Sequence, residues 1–574
     1  MSYGEFDALV AKTRTLLSSL GVKRGSTVGV ISNNRVEWAA VSCAAYSLSA
    51  IMTPMYEAQL PSDWAYILND AGCEVVFAAN QRIYDTINSD TKQQVPKLKH
   101  VFAFDVKDSG SYAFKAAIEQ AGKTTAGVVA PTPSDLANLI YTSGTTGKPK
   151  GVELTHASQV SNIYGVRGMV SQPLDFIQKN DRSLSFLPWA HSYGQTCELY
   201  SLMAHGAALG VCRGVPSILE DLQLVKPSIL FSVPTLYKRV YDGVQNMIMT
   251  TNPIRRALMK KALQLGSEDA ALKREGKAGL SGLSGFAHSK LDGLVLSKIR
   301  DRFGGNLRYG FVAGAACPSD IIYFMESIGV PVLEGYGLTE TSPVVAINTP
   351  QDRRIGTVGR AIKGVDVFAM NPETGKRLPV GEEGEVCVMG PNIMRGYHNK
   401  VEATDEVVTK DDKGERVFHT GDLGKVNADG YINITGRLKE QFKLENGKYV
   451  VPTPVEEAIS MSRFIQQMVL VGANKPYNVC LIVPDEAALR AEFKFDAKVT
   501  REEILKDPRL KKLFDEEIVA NSTTLKKFEV PTKFVFVAPF TVDNQMLTPK
   551  MSIRRHMAIK TFEKEIEALY VDGK

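Results

Sequence analysis

The sequence has no long apolar run, and this absence excludes one broad class of protein. Its 574 residues are 44% hydrophobic and 23% charged, which is typical of a globular chain. The longest apolar stretches are interrupted well short of the roughly 18 residues that a membrane-spanning helix needs. Residues 38–55, for example, contain Ser42, Ser47 and Ser49. No transmembrane helix is therefore expected.

Paired cysteines and an excess of one charge are also missing. The 68 basic and 63 acidic residues are interspersed and give a net charge of +5, which is too small for a nucleic-acid-binding surface. The seven cysteines show no CxxC spacing and no histidine partners. We interpret them as buried thiols in a reducing compartment, neither a zinc site nor a disulfide framework. The first residues include acidic side chains and lack an apolar core segment, so we expect no signal peptide and a cytoplasmic location.

The pattern along the chain predicts two domains. Over the first 340 residues, short apolar runs such as 27–31, 136–141 and 229–233 alternate with segments of 3.6-residue periodicity. This alternation predicts an α/β body of parallel sheets covered by helices. Short strands with Gly- and Asp-rich turns at about 350–436 predict a small β-barrel. We therefore predict an N-terminal domain over 1–437, including the barrel, and a smaller mobile α+β domain over 438–574.

A basic segment at about residues 252–305 allows two interpretations. Its basic residues, interleaved with Leu, Ala and Gly, are Arg255, Arg256, Lys260, Lys261, Lys273, Arg274 and Lys277. A basic amphipathic helix can lie on an anionic membrane, so peripheral contact with a membrane such as the endoplasmic reticulum is one interpretation. A solvated helix on the body of the protein is the other.

The strongest chemical signal is the stretch YTSGTTGKPKG at residues 141–151, which follows the predicted strand 136–141. Its glycines let the backbone approach an anion closely. Its N–H groups, hydroxyls and lysines are the donors and charges that bind phosphate oxygens. The stretch is not a P-loop, because Pro149 stands where Ser or Thr is required. It predicts a nucleotide-phosphate site, with a flexible surface turn as the alternative.

The motif TSGTTGKPKG resembles the signature of the adenylate-forming superfamily, and the resemblance extends from Tyr3 to the C-terminal lysine region. Residues 442–449, 547–549 and 231–237 are more similar to long-chain fatty acyl-CoA synthetases than to other branches. The resemblance implies ATP-dependent activation of long-chain fatty acids to acyl-CoA through an acyl-adenylate, with release of AMP and pyrophosphate. It implies Mg²⁺ as cofactor and fatty acid, ATP and CoA as substrates.

The resemblance also implies an ATP- and AMP-binding site drawn from several motifs. Its residues are Thr142, Ser143, Gly144, Thr145, Thr146, Gly147, Lys148, Lys150, Gly314, Ala315, Glu334, Gly335, Tyr336, Gly337, Thr339, Asp422 and Arg437. Glu340 is implied as the Mg²⁺ ligand together with Thr142, and carboxylate and hydroxyl oxygens suit that cation. A carboxylate such as Asp422 can accept two hydrogen bonds from ribose hydroxyls.

Further roles are implied outside the nucleotide site. His191 is expected to face the substrate carboxylate, although a lone histidine among apolar residues is often a core residue. Trp189 is expected to act as an acyl gate, Lys439 as the domain hinge, and Lys443 to face the thiol site. Alignment places Ser552 where the family has its adenylation lysine, and we expect Lys550 to take that role.

Two other functions stay open at the level of sequence. One is an adenylate-forming ligase with a different acid or acceptor, such as a carrier protein or oxygen. The other is a catalytically impaired lipid-binding homologue, which Ser552 suggests. The preferred chain length, the organelle and the oligomeric state are not readable. The resembled family usually has a further segment ahead of the position of Tyr3, so the presence of such a segment is open too.

Overall fold

The computed structural model of the chain describes residues 1–106, 110–122, 125–142, 148–169, 176–548 and 552–571. These residues form two compact units. The first unit comprises Met1–Val367, Cys387–Thr420 and Asp429–Ile432, and the second comprises Phe368–Val386, Gly421–Ala428 and Asn433–Lys574. The domain bounds expected from the sequence, 1–437 and 438–574, stay a prediction.

The first unit begins with a six-stranded sheet in the order β4-β3-β1-β2-β5-β6. Its strands are β1 Thr27–Ile31, β2 Ile51–Met55, β3 Val75–Asn80, β4 His100–Asp105, β5 Leu136–Thr142 and β6 Lys150–Thr155. All neighbours are parallel except β5 and β6. Helix α1 Tyr3–Ser19 precedes these strands, and the helices between them are α2 Val36–Tyr46, α3 Pro61–Asp70, α4 Gln81–Thr86 and α5 Phe114–Gln120. Strand β1 is buried along its whole length, as expected for a parallel sheet covered on both faces.

A second sheet of the first unit has the order β13-β12-β11-β10-β9. Its strands are β9 Ile229–Ser232, β10 Tyr309–Val312, β11 Val332–Gly337, β12 Val344–Ile347 and β13 Arg360–Ala361. Strands β9, β10 and β11 are parallel, so their carboxyl ends meet at one edge of the sheet. A separate parallel pair joins β7 Arg182–Ser185 to β8 Ala208–Val211.

Helices cover these strands and supply most of the long insert between β9 and β10. They are α6 His156–Arg167, α7 Ser201–His205, α8 Ile218–Val225, α9 Pro234–Thr250, α10 Pro253–Arg274, α11 Gly282–Leu291, α12 Ser297–Arg300, α13 Ser319–Ser327 and α14 Val401–Asp405. A π-helix, Tyr193–Tyr200, precedes α7. In the part of the chain that the structure describes, no helix is both long enough and apolar enough to cross a membrane.

The region of the expected barrel contains a five-stranded sheet. Its strands are β14 Asp366–Met370, β15 Gly384–Met389, β16 Val408–Lys410, β17 Arg416–Val426 and β18 Ile432–Arg437. They are ordered β14-β15-β17-β16, and β18 pairs with β17. This order does not by itself close a barrel, so the barrel stays a prediction.

The C-terminal part of the second unit is a small α+β structure. A hairpin of β19 Phe442–Lys443 and β20 Tyr449–Val450 precedes a sheet of β21 Ile465–Val471, β22 Val479–Pro484 and β23 Lys533–Phe536. Its helices are α15 Pro452–Ile459, α16 Glu486–Phe493, α17 Arg501–Leu505, α18 Pro508–Ala520, α19 Arg555–Thr561 and α20 Glu563–Val571. Successive residues of β21 point to opposite faces of the sheet, and Leu470 and Val471 belong to two separate apolar clusters. Both faces of this sheet are therefore covered.

Candidate active site

The two ends of the predicted phosphate segment are held together by strand pairing. Strand β5 ends at Thr142 and β6 begins at Lys150, and these two residues are direct antiparallel partners. Lys148 places its Nζ 5.3 Å from the ring centroid of Tyr66, and Lys150 places its Nζ 4.7 Å from that of Tyr397. The predicted binding residues Ser143, Gly144, Thr145, Thr146 and Gly147 lie outside the described residues.

Tyr397 joins this segment to Glu340. It forms an isolated antiparallel bridge with Val152 of β6, and its hydroxyl donates to Glu340 Oε1 at 2.9 Å. The Met394 N–H donates to the Glu340 carbonyl at 2.7 Å. Burial, with the nearby Glu340 carboxylate, raises the pKa of Tyr397 well above its ordinary value, so the hydroxyl remains protonated and able to donate. Lys150, over the face of the ring, and Glu340, at its hydroxyl, therefore both contact Tyr397.

The donor set at Thr142 and Glu340 fits a hard divalent cation. Glu340 is half-buried, and in the described part of the chain its Oε2 has no hydrogen-bond partner, since only Oε1 is bonded, to Tyr397. The Thr142 hydroxyl likewise has no partner among the residues described here. A carboxylate oxygen and a hydroxyl oxygen are ligands that Mg²⁺ accepts, alongside phosphate oxygens and water.

The predicted adenine side lies at the carboxyl edge of the second sheet. Gly314 and Ala315 follow β10, while Glu334, Gly335, Tyr336 and Gly337 end the neighbouring β11. Gly314 has a φ of +86°, a backbone conformation that glycine adopts readily because it has no Cβ. A Cβ at Gly337 would lie 1.8 Å from the Pro343 carbonyl oxygen, so only glycine fits there. Glu334 accepts a hydrogen bond from the Gly356 N–H at 3.3 Å, which fixes the adjacent loop.

The segment with Trp189 and His191 meets this edge through Thr339. The Ser192 hydroxyl donates to the Thr339 hydroxyl at 3.4 Å, and both residues are buried. The His191 N–H donates to the Pro188 carbonyl at 3.0 Å, and its Nδ1 accepts from the Tyr193 N–H at 3.3 Å. Trp189 is only 2% exposed, and its ring packs edge-on against Trp38 with centroids 5.5 Å apart. Its gating role stays a prediction.

A small apolar cavity lies next to this segment. Its walls include Asn162, Val166, Thr196, Phe231, Phe311 and Val344. Thr196 belongs to the π-helix that follows His191, and its buried hydroxyl has no partner among the described residues. Phe231 and Phe311 stack with centroids 4.5 Å apart. Sequence reasoning missed these lining residues, although Phe231 begins a stretch already noted as similar to long-chain enzymes.

The remaining predicted residues lie in the second unit. Asp422, on β17, is buried and forms an ion pair with Arg437 at the end of β18, with Nε and Oδ1 2.8 Å apart. Lys439 is exposed on the 3-10 turn Leu438–Glu440. Lys443, on β19, is exposed, and its Nζ lies 5.6 Å from the Tyr449 ring centroid. Lys550 lies outside the described residues.

Solved structures show which class of protein has this fold. The adenylation domain of a carboxylate reductase from Mycobacterium chelonae is 20% identical with a TM-score of 0.75, covering 100% of this chain and 84% of its own. ATP-bound MatB from Rhodopseudomonas palustris is 22% identical with a TM-score of 0.71, covering 98% and 94%. The fold is that of the adenylate-forming enzymes, so the predicted fold class is confirmed except for its β-barrel.

Sequence comparison identifies the family. The family model "AMP-binding enzyme" matches residues 1–398, and the model of the AMP-binding enzyme C-terminal domain matches residues 439–574. The chain therefore belongs to the AMP-binding enzyme family, which confirms the predicted resemblance. A long-chain fatty acid–CoA ligase (FadD15) of Mycobacterium bovis is 31% identical over 96% of this chain and 89% of its own length. Long-chain fatty acid–CoA ligase 5 of Rattus norvegicus is 31% identical over 95% and 80%.

Proposed function

We propose that this protein is a long-chain fatty acid–CoA ligase that forms acyl-CoA through an acyl-adenylate. The curated relatives carry that activity in their names and match nearly the whole chain, which supports the prediction made from the sequence. The observation that carries the proposal is the Tyr397 bridge, because it brings Lys150 of the phosphate segment and Glu340 around one ring. A lysine and a carboxylate so arranged suit a nucleotide triphosphate and its cation.

The reaction needs positioning and charge neutralisation more than an enzyme nucleophile. A fatty carboxylate oxygen attacks the α-phosphorus of ATP, and pyrophosphate leaves. The thiol of CoA then attacks the acyl carbon, and AMP leaves with the oxygen that the carboxylate brought. We propose that residues 142–150 bind the β- and γ-phosphates, while Thr142 and Glu340 would hold Mg²⁺. When bound, Mg²⁺ neutralises phosphate charge.

The nucleoside and acyl groups are assigned to the carboxyl edge of the second sheet, where β10 and β11 end. We propose that Tyr336 stacks on adenine, that Gly314 and Ala315 border it, and that Thr339 contacts the α-phosphate. The small apolar cavity that Phe231 and Phe311 line, about 30 Å³, would form part of the wall against which the acyl chain packs, with His191 near its carboxylate. An apolar lining suits an alkyl chain, because each buried CH₂ contributes about 0.8 kcal/mol.

The second unit would complete both half-reactions. Asp422 would accept hydrogen bonds from the ribose hydroxyls, beside Arg437. We propose that Lys550 contacts the carboxylate and α-phosphate during adenylation, that Lys443 faces the thiol afterwards, and that Lys439 is the pivot between the two states. Lys550→Ala should then abolish adenylate formation but leave thioester formation from supplied acyl-adenylate largely intact. Adenylation at the wild-type rate would exclude Lys550.

A chain-length scan tests the proposed activity. AMP and acyl-CoA are measured with saturated fatty acids of increasing length, with and without CoA, and Glu340→Gln serves as the inactive control. We expect CoA-dependent AMP release that is largest for long chains. AMP release without thioester formation would favour another acceptor. The absence of ATP–pyrophosphate exchange at every chain length would favour the lipid-binding homologue.

We also propose that the protein is cytoplasmic and makes peripheral contact with an anionic membrane, through the face that α11 presents. Leu283 is 90% exposed, Phe286 65% and Leu294 61%. Leu283, Phe286 and the exposed Lys290 follow one another at intervals of three or four residues, which places them on one side of α11. Leu294 lies on the π-helix Asp292–Leu296 that continues α11. The Lys290 Nζ lies 5.6 Å from the Phe286 ring centroid. Apolar side chains flanked by a lysine suit an interface of anionic lipids.

Vesicle co-sedimentation tests this contact. With phosphatidylcholine vesicles that contain phosphatidylserine, we expect binding by the wild type and a loss of roughly tenfold or more in the double variant Leu283→Ser, Phe286→Ser. Leu224→Ser is the control, since Leu224 is similarly exposed, at 69%, in the same unit. Equal sedimentation of both variants with the wild type would refute the assignment of this face.

A further inference from the structure

A buried carboxyl group lies beside the proposed acid site and takes part in none of the proposed steps. Glu198, on the π-helix Tyr193–Tyr200, is 0% exposed. Its Oε1 accepts from the Ser183 hydroxyl at 2.9 Å, and its Oε2 accepts from the Ser185 hydroxyl at 2.6 Å. Burial raises the pKa of Glu198 to about 8. Burying such a group is costly unless hydrogen bonds compensate, so its surroundings are informative.

The Ser185 hydroxyl makes every hydrogen bond that it can, and the bond to Glu198 determines its orientation. A serine hydroxyl has one proton and two lone pairs. The proton goes to Glu198, while the lone pairs accept from Trp189 Nε1 at 2.9 Å and from Asn34 Nδ2 at 3.1 Å. Without the acceptor at Glu198, the proton would lose its partner and the hydroxyl could rotate away from Trp189.

Asn34 fixes the backbone of the same segment. Its Nδ2 donates to the Leu187 carbonyl at 2.8 Å, and its Oδ1 accepts from the Trp189 N–H at 2.8 Å. The segment also lies directly against the π-helix, because a Cβ at Gly194 would be 2.6 Å from the Pro188 carbonyl oxygen. The segment is thus restrained by hydrogen bonds to Ser185 and Asn34 and by the close packing of Gly194.

The restrained segment leads to residues with proposed roles. The His191 N–H donates to the Pro188 carbonyl at 3.0 Å, and the Ser192 hydroxyl donates to Thr339 at 3.4 Å. We propose that Glu198 is a positioning residue, which acts through Ser185 and Asn34 to set residues 187–192 and thereby His191 at the fatty-acid carboxylate. This inference rests on the proposed role of His191 at the acid site.

Two variants test the inference while retaining most of the packing. Glu198→Leu removes both acceptor oxygens at a similar side-chain size, and Ser185→Ala removes the shared hydroxyl. We expect the KM for fatty acid to rise about fivefold to tenfold in each variant, while the KM for ATP changes less than about twofold. Hydrogen exchange of the amides of residues 187–192 should become faster in both. The double variant should be no worse than the more affected single variant, because both changes break one network.

A matched control separates positioning from stability. Glu326 is another buried carboxylate of the first unit, paired with Arg274 and with Arg353 at 2.7 Å. Glu326→Gln should lower Tm without moving the fatty-acid KM or exchange at 187–192. The inference is overturned if the Glu198 and Ser185 variants lose Tm yet keep the wild-type KM and exchange protection. Hydrogen exchange needs no turnover, so failure of the positioning claim is distinguishable from failure of the proposed activity.

Discussion

Replacing Tyr397 with phenylalanine removes one hydroxyl at the centre of the candidate site. That hydroxyl donates to Glu340 Oε1 at 2.9 Å. The ring remains in Tyr397→Phe, so Lys150, whose Nζ lies 4.7 Å from the ring centroid, keeps its contact. The change therefore isolates the restraint on the Glu340 carboxylate. Tyr397 is also a residue that the motif analysis did not select.

The expected magnitude follows from the type of bond. A hydrogen bond to a charged group contributes about 1.5–3 kcal/mol, and 1.4 kcal/mol corresponds to about tenfold in rate. If Glu340 helps to hold the cation on ATP, a freely rotating carboxylate should lower kcat/KM for MgATP by about tenfold to a hundredfold. Partners that orient a metal ligand have effects of that size, about 10–100-fold, in known metal sites.

The assay is fatty-acid-dependent ATP–pyrophosphate exchange over a range of Mg²⁺ concentrations. We expect Tyr397→Phe to need more Mg²⁺ for half-maximal exchange, with Tm close to that of the wild type. Tyr431→Phe is the control, since Tyr431 also donates its hydroxyl to a carboxylate, that of Asp352. An unchanged Mg²⁺ dependence and an unchanged kcat/KM in Tyr397→Phe would refute the assignment of Glu340.

Three further predictions concern other residues. Gly337→Ala should lower Tm and abolish activity, since its Cβ would meet the Pro343 carbonyl oxygen at 1.8 Å, whereas Gly335→Ala, with its nearest contact at 3.5 Å, should keep Tm; equal melting of the two would contradict this. The hydrogen bond to the Glu153 carboxylate raises the pKa of His398. The ion pair therefore stabilises the folded protein fully below about pH 6.5, and this stabilisation is lost as pH rises through the raised pKa. The Tm difference between wild type and His398→Gln should be larger at about pH 6 than at about pH 9. Asp422→Asn should reduce the preference for ATP over 2′-deoxy-ATP, and an unchanged preference would remove Asp422 from the ribose site.

Much of the fold was predictable because buried parallel strands are short, uninterrupted apolar runs. The run 27–31 is strand β1, and the run 229–233 differs from β9 by one residue. Strand β11 begins in the apolar residues Val332 and Leu333 but continues through a glycine-containing stretch to Gly337. Glycines lower strand propensity, but pairing with β12 and the close approach to Pro343 select that conformation here.

The candidate site was predictable only where its chemistry is local in sequence. The phosphate segment and the Glu340 turn each carry a recognisable cluster of residue types. Tyr397 and Glu198 could not be found in this way. The partner of Tyr397 is distant in the chain, and Glu198 lies on a buried helix with its partners on another element. A single tyrosine or glutamate has no pattern of its own. Only the folded chain shows that Tyr397 reaches Glu340 and that Glu198 reaches the serines of β7.

The oxygen that leaves with AMP tests the central claim most directly. A long-chain fatty acid labelled with ¹⁸O in its carboxylate is converted in the presence of ATP and CoA, and the products are analysed by mass spectrometry. Attack of the carboxylate on the α-phosphorus, followed by thiol attack on the acyl carbon, requires one labelled oxygen in AMP and none in pyrophosphate. Unlabelled AMP, or label in pyrophosphate, would contradict an acyl-adenylate intermediate.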